Sequence, residues 1–200
     1  MRHALKRLIP GWQADPIARL DKQTPIYRLN PDVIESDVHC FLKLVDEARA
    51  LPRAAAIAAY EKALDLYRGD LLDRLDVPAY RWLDDGPRVL DLRVKYASLH
   101  QQARRRLADL LAAGSTDQEL ARAEELYLSL VVTDALDHRL WEALARLHGA
   151  RNDLLGLEAT FRRLRTALVE LGEGDDPESI PPTLKRVFDE VRASLMSGRD

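Results

Sequence analysis

The chain has 200 residues, of which 46% are hydrophobic and 32% charged, so it can build the core of one domain, or of one domain with a fragment of a second. Its formal net charge of -3 gives no overall attraction to nucleic acid or to anionic membranes, and any DNA affinity would need a local basic cluster. The single cysteine, Cys40, excludes an intrachain disulfide and the cysteine-rich zinc sites, and we expect it to be a small buried apolar residue.

Residues 1–30 differ from the rest of the chain. A short basic amphipathic helix is predicted to end at Pro10, and the runs 16–20 and 25–29 alternate apolar and polar residues around a polar turn, which is typical of a β-hairpin. One helix and one hairpin are too small to hold a core. We therefore expect this segment to be the end of another domain and to pack loosely or against a neighbour. This segment lacks the long apolar region and small-residue cleavage site of a signal peptide, and the chain has no apolar run long enough for a membrane span. We therefore expect a cytoplasmic protein with no membrane partner.

From residue 31 onward the apolar residues recur at helical spacing and predict about seven helices. Ser36 or Asp37 can cap the first, Gly69 fits the C-terminal cap of the second, and Pro87 suits the first position of a long third helix. A connector rich in aspartate, 70–86, separates the second helix from the third. The predicted ranges are 37–51, 53–67, 87–113, 117–132, 138–149, 153–171 and 183–196. The expected fold class is all-α.

A period of 34 residues relates the segments 107–130 and 141–164. Six apolar positions recur at this spacing: Leu107 with Trp141, Leu110 with Leu144, Leu120 with Leu154, Ala123 with Leu157, Tyr127 with Phe161 and Leu130 with Leu164. This period is typical of tetratricopeptide helix pairs. One such pair cannot bury its own apolar face, so pairs stack and leave a concave surface for a partner. The pattern favours binding over catalysis.

The same register predicts a set of core residues. We expect the following side chains to be largely buried: Leu107, Leu110, Leu120, Tyr127, Trp141, Leu144, Leu154 and Phe161. Truncating Trp141 or Phe161 to alanine should then cost about 3–5 kcal/mol of stability.

No motif in the chain indicates catalysis. The five histidines are far apart, and the sequence has no phosphate-binding glycine loop, dinucleotide fingerprint or nucleophile elbow. His148, which corresponds to Gly114 in the preceding repeat, is interpreted as a packing or turn residue. The aspartates of the connector lack the ligand spacing of a calcium loop and are interpreted as caps and turn residues. We expect no enzyme activity, no cofactor and no metal site.

Arginine supplies the candidate contact residues. Five arginines could contact a partner or the phosphate of a small ligand: Arg104, Arg105, Arg162, Arg163 and Arg165. A solvated helix face is the simpler interpretation of the run 104–106. A regulatory domain that senses a small ligand or nucleotide is therefore the alternative to a protein-binding module.

Several stretches, in order, resemble the bacterial transcriptional activation domain, the tetratricopeptide-like module of Streptomyces antibiotic regulatory protein-type activators. The resemblance covers most of residues 27–196 and is carried by Tyr27–Asn30 followed by Ser36–Phe41, by Ala63–Leu72, by Trp82 with Arg88–Arg93, and by Phe161–Arg165 with Glu170–Gly172. It implies an activation domain over 31–197 and a non-catalytic role in protein interaction or oligomerisation. Gly86-Pro87 and the turn 174–182 depart from the family pattern locally.

The resemblance also implies that residues 1–30 are the C-terminal fragment of a winged-helix DNA-binding domain, with the end of the recognition helix at 1–10 and the wing at 17–29. Everything before that helix is missing, including the part that reads bases. The candidates for contact with the DNA backbone are Arg2, Lys6, Arg7, Arg19 and Lys22. We expect no sequence-specific DNA binding by this chain alone, and DNA binding only through a complete parent regulator.

Overall fold

The computed structural model describes residues 17–19, 27–29, 35–71, 87–171 and 180–197. Two short strands, β1 (Ile17–Arg19) and β2 (Tyr27–Leu29), pair antiparallel within the two runs that predict a hairpin. The basic helix expected over residues 1–10 and most of the connector 70–86 lie outside the described residues. The chain divides into two compact units, Met1–Asp70 and Leu71–Asp200.

The first unit contains two helices that pack against each other, α1 (Asp37–Ala48) and α2 (Arg53–Leu66). Ser36 caps α1 by accepting a hydrogen bond from the backbone N–H of His39, as the capping pattern predicts. Gly69, with φ of 148°, lies in the turn that leaves α2, where a side chain would be strained. Both helices bury short apolar stripes, so this hairpin has its own small core.

Cys40 differs from its expected environment. It is half-buried on α1 rather than part of the core, because it lies beside the buried stripe instead of within it. A hydrogen bond with Glu35 raises the pKa of its thiol. A raised pKa keeps the thiol protonated, so nothing activates it as a nucleophile.

The second unit contains five helices in the residues that the structure describes: α3 (Pro87–Ala112), α4 (Asp117–Thr133), α5 (His138–Ala150), α6 (Leu154–Glu170) and α7 (Pro182–Ser197). From α4 onward each helix packs on the helix before it, and α5 also packs on α7. Three N-caps, Thr116, Asp137 and Asp153, each accept a hydrogen bond from a backbone N–H in the first turn of the helix that follows. These local caps explain why the sequence predicts where these helices begin within about one residue, whereas α1, predicted over 37–51, ends at Ala48.

The core of the second unit follows the 34-residue repeat. Five of the eight predicted core residues are buried: Leu107, Leu120, Tyr127, Trp141 and Leu144. The other three, Leu110, Leu154 and Phe161, are only half-buried, which corrects the prediction for them. Each of the three lies at the margin of its helix's buried stripe, because a helical repeat conserves spacing along the axis better than rotation about it.

Candidate partner-binding groove

An open groove of about 630 Å³ lies between α4 and α6, over the N-terminal part of α5. Its apolar lining comprises Leu128, Val131, Val132, Ala135, Trp141, Ala159 and Ala167. Because alanines stand at the positions where α6 faces α4, the two helices leave a space that larger side chains would fill. Trp141 and Val131 belong to the core of the second unit, whereas Val132 leaves apolar surface exposed in the groove.

Trp141 forms the floor of this groove. Its side chain is only 2% exposed, and its Nε1–H donates a hydrogen bond to the carbonyl oxygen of Ala135 at 2.8 Å. The bond satisfies the single polar atom of the ring and ties the turn between α4 and α5 against it. Moving the ring would therefore break this bond and open the core.

Val132 forms one wall and is the most exposed large apolar residue in the described part of the chain, at 87%. Its neighbour Val131 is buried. Leu130 and Val131 form the edge of the buried stripe of α4, and the next residue points about 100° further round the helix, outside that stripe. Val132 therefore faces the groove.

Polar side chains from α6 form the opposite rim. Arg162, Arg163, Thr166 and Glu170 line the groove, and all four are exposed. Their spacing places them on one face of the helix. Within the described residues, the guanidinium groups of Arg162 and Arg163 form no ion pair. Arg165 is exposed on the same helix but does not line the groove.

Arg104 and Arg105 are engaged inside the second unit. Arg104 donates to Ser129 Oγ of α4 and to Gln101 Oε1, and Arg105 forms an ion pair with Asp137, the N-cap of α5. Arg105 and Asp137 also border a second cavity of about 410 Å³ between α3, α4 and the start of α5. Of the five candidate arginines, only Arg162 and Arg163 are brought together at the groove.

Residues 36–192 match the model of the bacterial transcriptional activator domain family. The chain belongs to that family. The resemblance seen in the sequence is thereby confirmed at the level of the activator domain, a regulatory family rather than an enzymatic one. No curated protein and no solved structure matches the chain.

The activator domain buries a polar cluster where α4, α5 and α6 meet. His148 is 1% exposed, its Nε2 lies 3.0 Å from Thr160 Oγ1, and its Nδ1 lies 3.3 Å from Asp153 Oδ2. A carboxylate, an imidazole and a hydroxyl in this order also occur in hydrolases. Thr160 is only 3% exposed, so no substrate can reach the hydroxyl, and the cluster is structural.

Two further contacts complete this cluster. The hydrogen bond from the Gly156 N–H, and secondarily the nearby His148, lower the pKa of Asp153. Glu124 of α4 approaches His148 Nε2 at 3.9 Å and pairs with Arg151 at the end of α5. His148 is thus a packing residue, as expected. The hydrogen-bond partners were not predicted, and the only signal for them was Gly156, an isolated glycine inside a predicted helix.

The remaining sequence-based candidates fall largely outside the described residues. Arg2, Lys6, Arg7 and Lys22 lie there, while Arg19 belongs to β1 with its backbone alone described. Over the side chains that are described, no group of histidine, cysteine, aspartate and glutamate could hold a metal ion. None of the described helices is long and apolar enough to cross a membrane.

Proposed function

We propose that this activator domain is a non-catalytic protein-interaction module of a bacterial transcriptional regulator, and that a protein partner docks in the groove between α4 and α6. The exposure of Val132 beside the apolar floor of Trp141 carries the proposal. A contiguous apolar surface rimmed by polar residues is typical of a protein-binding site. The 34-residue repeat, which is typical of stacked helix pairs that bind a partner, supports the same proposal.

We further propose that the domain boundary lies near residue 30, with a winged-helix fragment before it and the activation domain over 31–197. The antiparallel pairing of β1 with β2 supports the wing, and the family match from residue 36 supports the start of the activation domain. DNA binding would then belong to a complete parent regulator. Such a regulator acts on the bacterial genome, which places it in the cytoplasm.

The alternative function, sensing of a small ligand or nucleotide, has one observation in its favour. A volume of about 630 Å³ is within the range of ligand pockets, and two arginines stand at its rim. The groove is nevertheless open along its length, and Arg104 and Arg105 are engaged elsewhere. A thermal-shift screen against nucleotides separates the two, since a ligand at 100 times its dissociation constant adds about 2.7 kcal/mol of stability.

Tethering tests the proposed function directly. The 200-residue chain is fused to an unrelated DNA-binding domain, and transcription from a promoter carrying that domain's site is measured in the native host. Val132→Gln should lower the reporter signal several-fold, because a valine side chain buried at an interface contributes about 1.5 kcal/mol, or roughly tenfold in affinity.

Val169→Gln is the matched control. Val132 and Val169 are exposed valines at the penultimate positions of α4 and α6, but only Val132 lines the groove. Val169→Gln should retain the wild-type signal, and both variants should keep the wild-type melting temperature. Equal signals from wild type and Val132→Gln would contradict docking in the groove. A mass that rises with concentration in light scattering, and falls in Val132→Gln, would identify the partner as a second copy.

A further inference from the structure

We infer that the occupant of the groove is an acidic amphipathic peptide segment, whose apolar side chains pack over Trp141 while its carboxylates pair with Arg162 and Arg163. The inference rests on the proposed function and specifies the chemistry of the partner. Three features of the groove support it: unpaired arginines, an uneven charge distribution and an apolar wall at Val132 that is left exposed.

The first feature is a pair of exposed arginines at the groove that no carboxylate of the described residues engages, whereas other arginines of the second unit are paired. Arg151 pairs with Glu124, and Arg192 donates to Glu158 at 2.6 Å. Arg162 and Arg163 have no ion pair within the described residues. Exposed guanidinium groups beside an apolar surface are well suited to a partner's carboxylates, because the planar fork makes two parallel hydrogen bonds.

The second feature is the distribution of charge along α6. Glu170 follows Arg162 by eight residues, which separates the two by about 12 Å along the helix axis. The negative end of the helix dipole adds to the charge of Glu170. The groove is therefore cationic at one end and anionic at the other, so an acidic segment is attracted to the arginine end and repelled at the Glu170 end. This gradient gives the bound segment a direction.

The third feature is the apolar floor and wall. Phosphates of a nucleic acid could also pair with the two arginines, but they would leave Val132 and the surface over Trp141 uncovered, and Glu170 would repel them. A peptide can bring apolar side chains and carboxylates on one scaffold. An amphipathic helix laid into a groove does so with its apolar residues at helical spacing.

Fluorescence anisotropy with two labelled peptides tests the inference. Both peptides carry leucines at helical spacing. The first has glutamate at the remaining positions, and its counterpart has lysine at the same positions. We expect the wild-type chain to bind the glutamate peptide at least tenfold more tightly, with a preference that weakens as salt is added. No binding of the glutamate peptide, or equal affinity for the two, would overturn the inference.

Two charge-reversal variants locate the effect. Arg163→Glu should reduce affinity for the glutamate peptide about tenfold, because it replaces attraction by repulsion at the rim. Arg165→Glu makes the same change in net charge on the same helix outside the groove, and it should change affinity less than twofold. An equal loss in both variants would mean that overall charge alone selects the peptide, which refutes a specific site.

The reporter assay keeps this inference separate from the proposed function. A reporter signal that depends on Val132, combined with no preference between the two peptides, would retain the groove as a docking site and reject an acidic occupant. A reporter signal that does not depend on Val132 would reject the docking site itself.

Discussion

Replacing Trp141 by alanine should be the most destabilising single truncation in the second unit. The ring is 2% exposed, so its removal leaves a cavity at the centre of the repeat as well as losing the transfer free energy of the side chain. Changes of this kind cost about 3–5 kcal/mol. Part of the loss, about 0.5–1.5 kcal/mol, comes from the hydrogen bond that the indole donates to Ala135.

Differential scanning calorimetry and urea unfolding measure this loss. For a chain of this length, 1 kcal/mol corresponds to about 2–4 °C, so the melting temperature of Trp141→Ala should fall by about 6–20 °C. The melting temperature of Phe161→Ala should fall less. The Phe161 side chain is only half-buried and packs on Phe188, with 5.2 Å between ring centroids. Leu155→Ala is the apolar control, since its side chain is 83% exposed and its truncation should change stability by less than about 0.5 kcal/mol.

A melting temperature for Trp141→Ala within about 2 °C of wild type would refute the reasoning. It would mean that Trp141 is not in the core, and that the 34-residue register relating it to Leu107 is misassigned. Trp141→Phe keeps most of the apolar volume and removes the N–H donor together with a smaller part of the ring. Its loss should be clearly smaller than that of the alanine variant.

Two further predictions concern the buried cluster around His148. Gly156→Ala should destabilise the chain by about 1–3 kcal/mol in urea unfolding, because the Cβ of the new alanine would lie 2.5 Å from His148 Cε1. Alanine usually stabilises a helix relative to glycine, so a more stable variant would contradict this packing. Asp153→Asn keeps a capping oxygen but loses the charge. Because folding lowers the pKa of Asp153, the ionised carboxylate stabilises the wild-type chain above about pH 4, and this stabilisation is lost as the pH falls below that value. The difference in unfolding free energy between wild type and Asp153→Asn should therefore shrink from pH 6 to pH 3, whereas a constant difference would show that the charge contributes nothing.

Local chemistry explains why the helices were predictable. The caps Thr116 and Asp137 and the proline at position 87 each act on a single turn, so their effect can be read from adjacent residues. The 34-residue period likewise predicts which helices stack. Rotation of each helix about its axis depends on neighbours on both sides, and for that reason Phe161 and Leu110 were predicted to be more buried than they are.

The groove was only partly predictable, because it depends on contacts between distant residues. Sequence patterns identified Trp141 as apolar core and Arg162 with Arg163 as candidate contacts, but nothing in their spacing predicts that they border one groove. Arg105 and its partner Asp137 are 32 residues apart, and many other carboxylates were equally plausible partners. One signal was available: Val132 lies about 100° outside the apolar stripe of α4 that ends with Leu130 and Val131.

The hydrogen bond between His148 and Thr160 bears on how recognition can evolve in this domain. Apolar contacts between two helices tolerate small rotations, whereas the hydrogen bond of a buried imidazole to Thr160 accepts few geometries. Fixing α6 about its own axis also fixes the direction in which Arg162 and Arg163 leave it. Under the proposed function, a lineage that keeps this cluster could therefore exchange side chains along the rim one at a time and bind new partners, while the other rim side chains keep their direction.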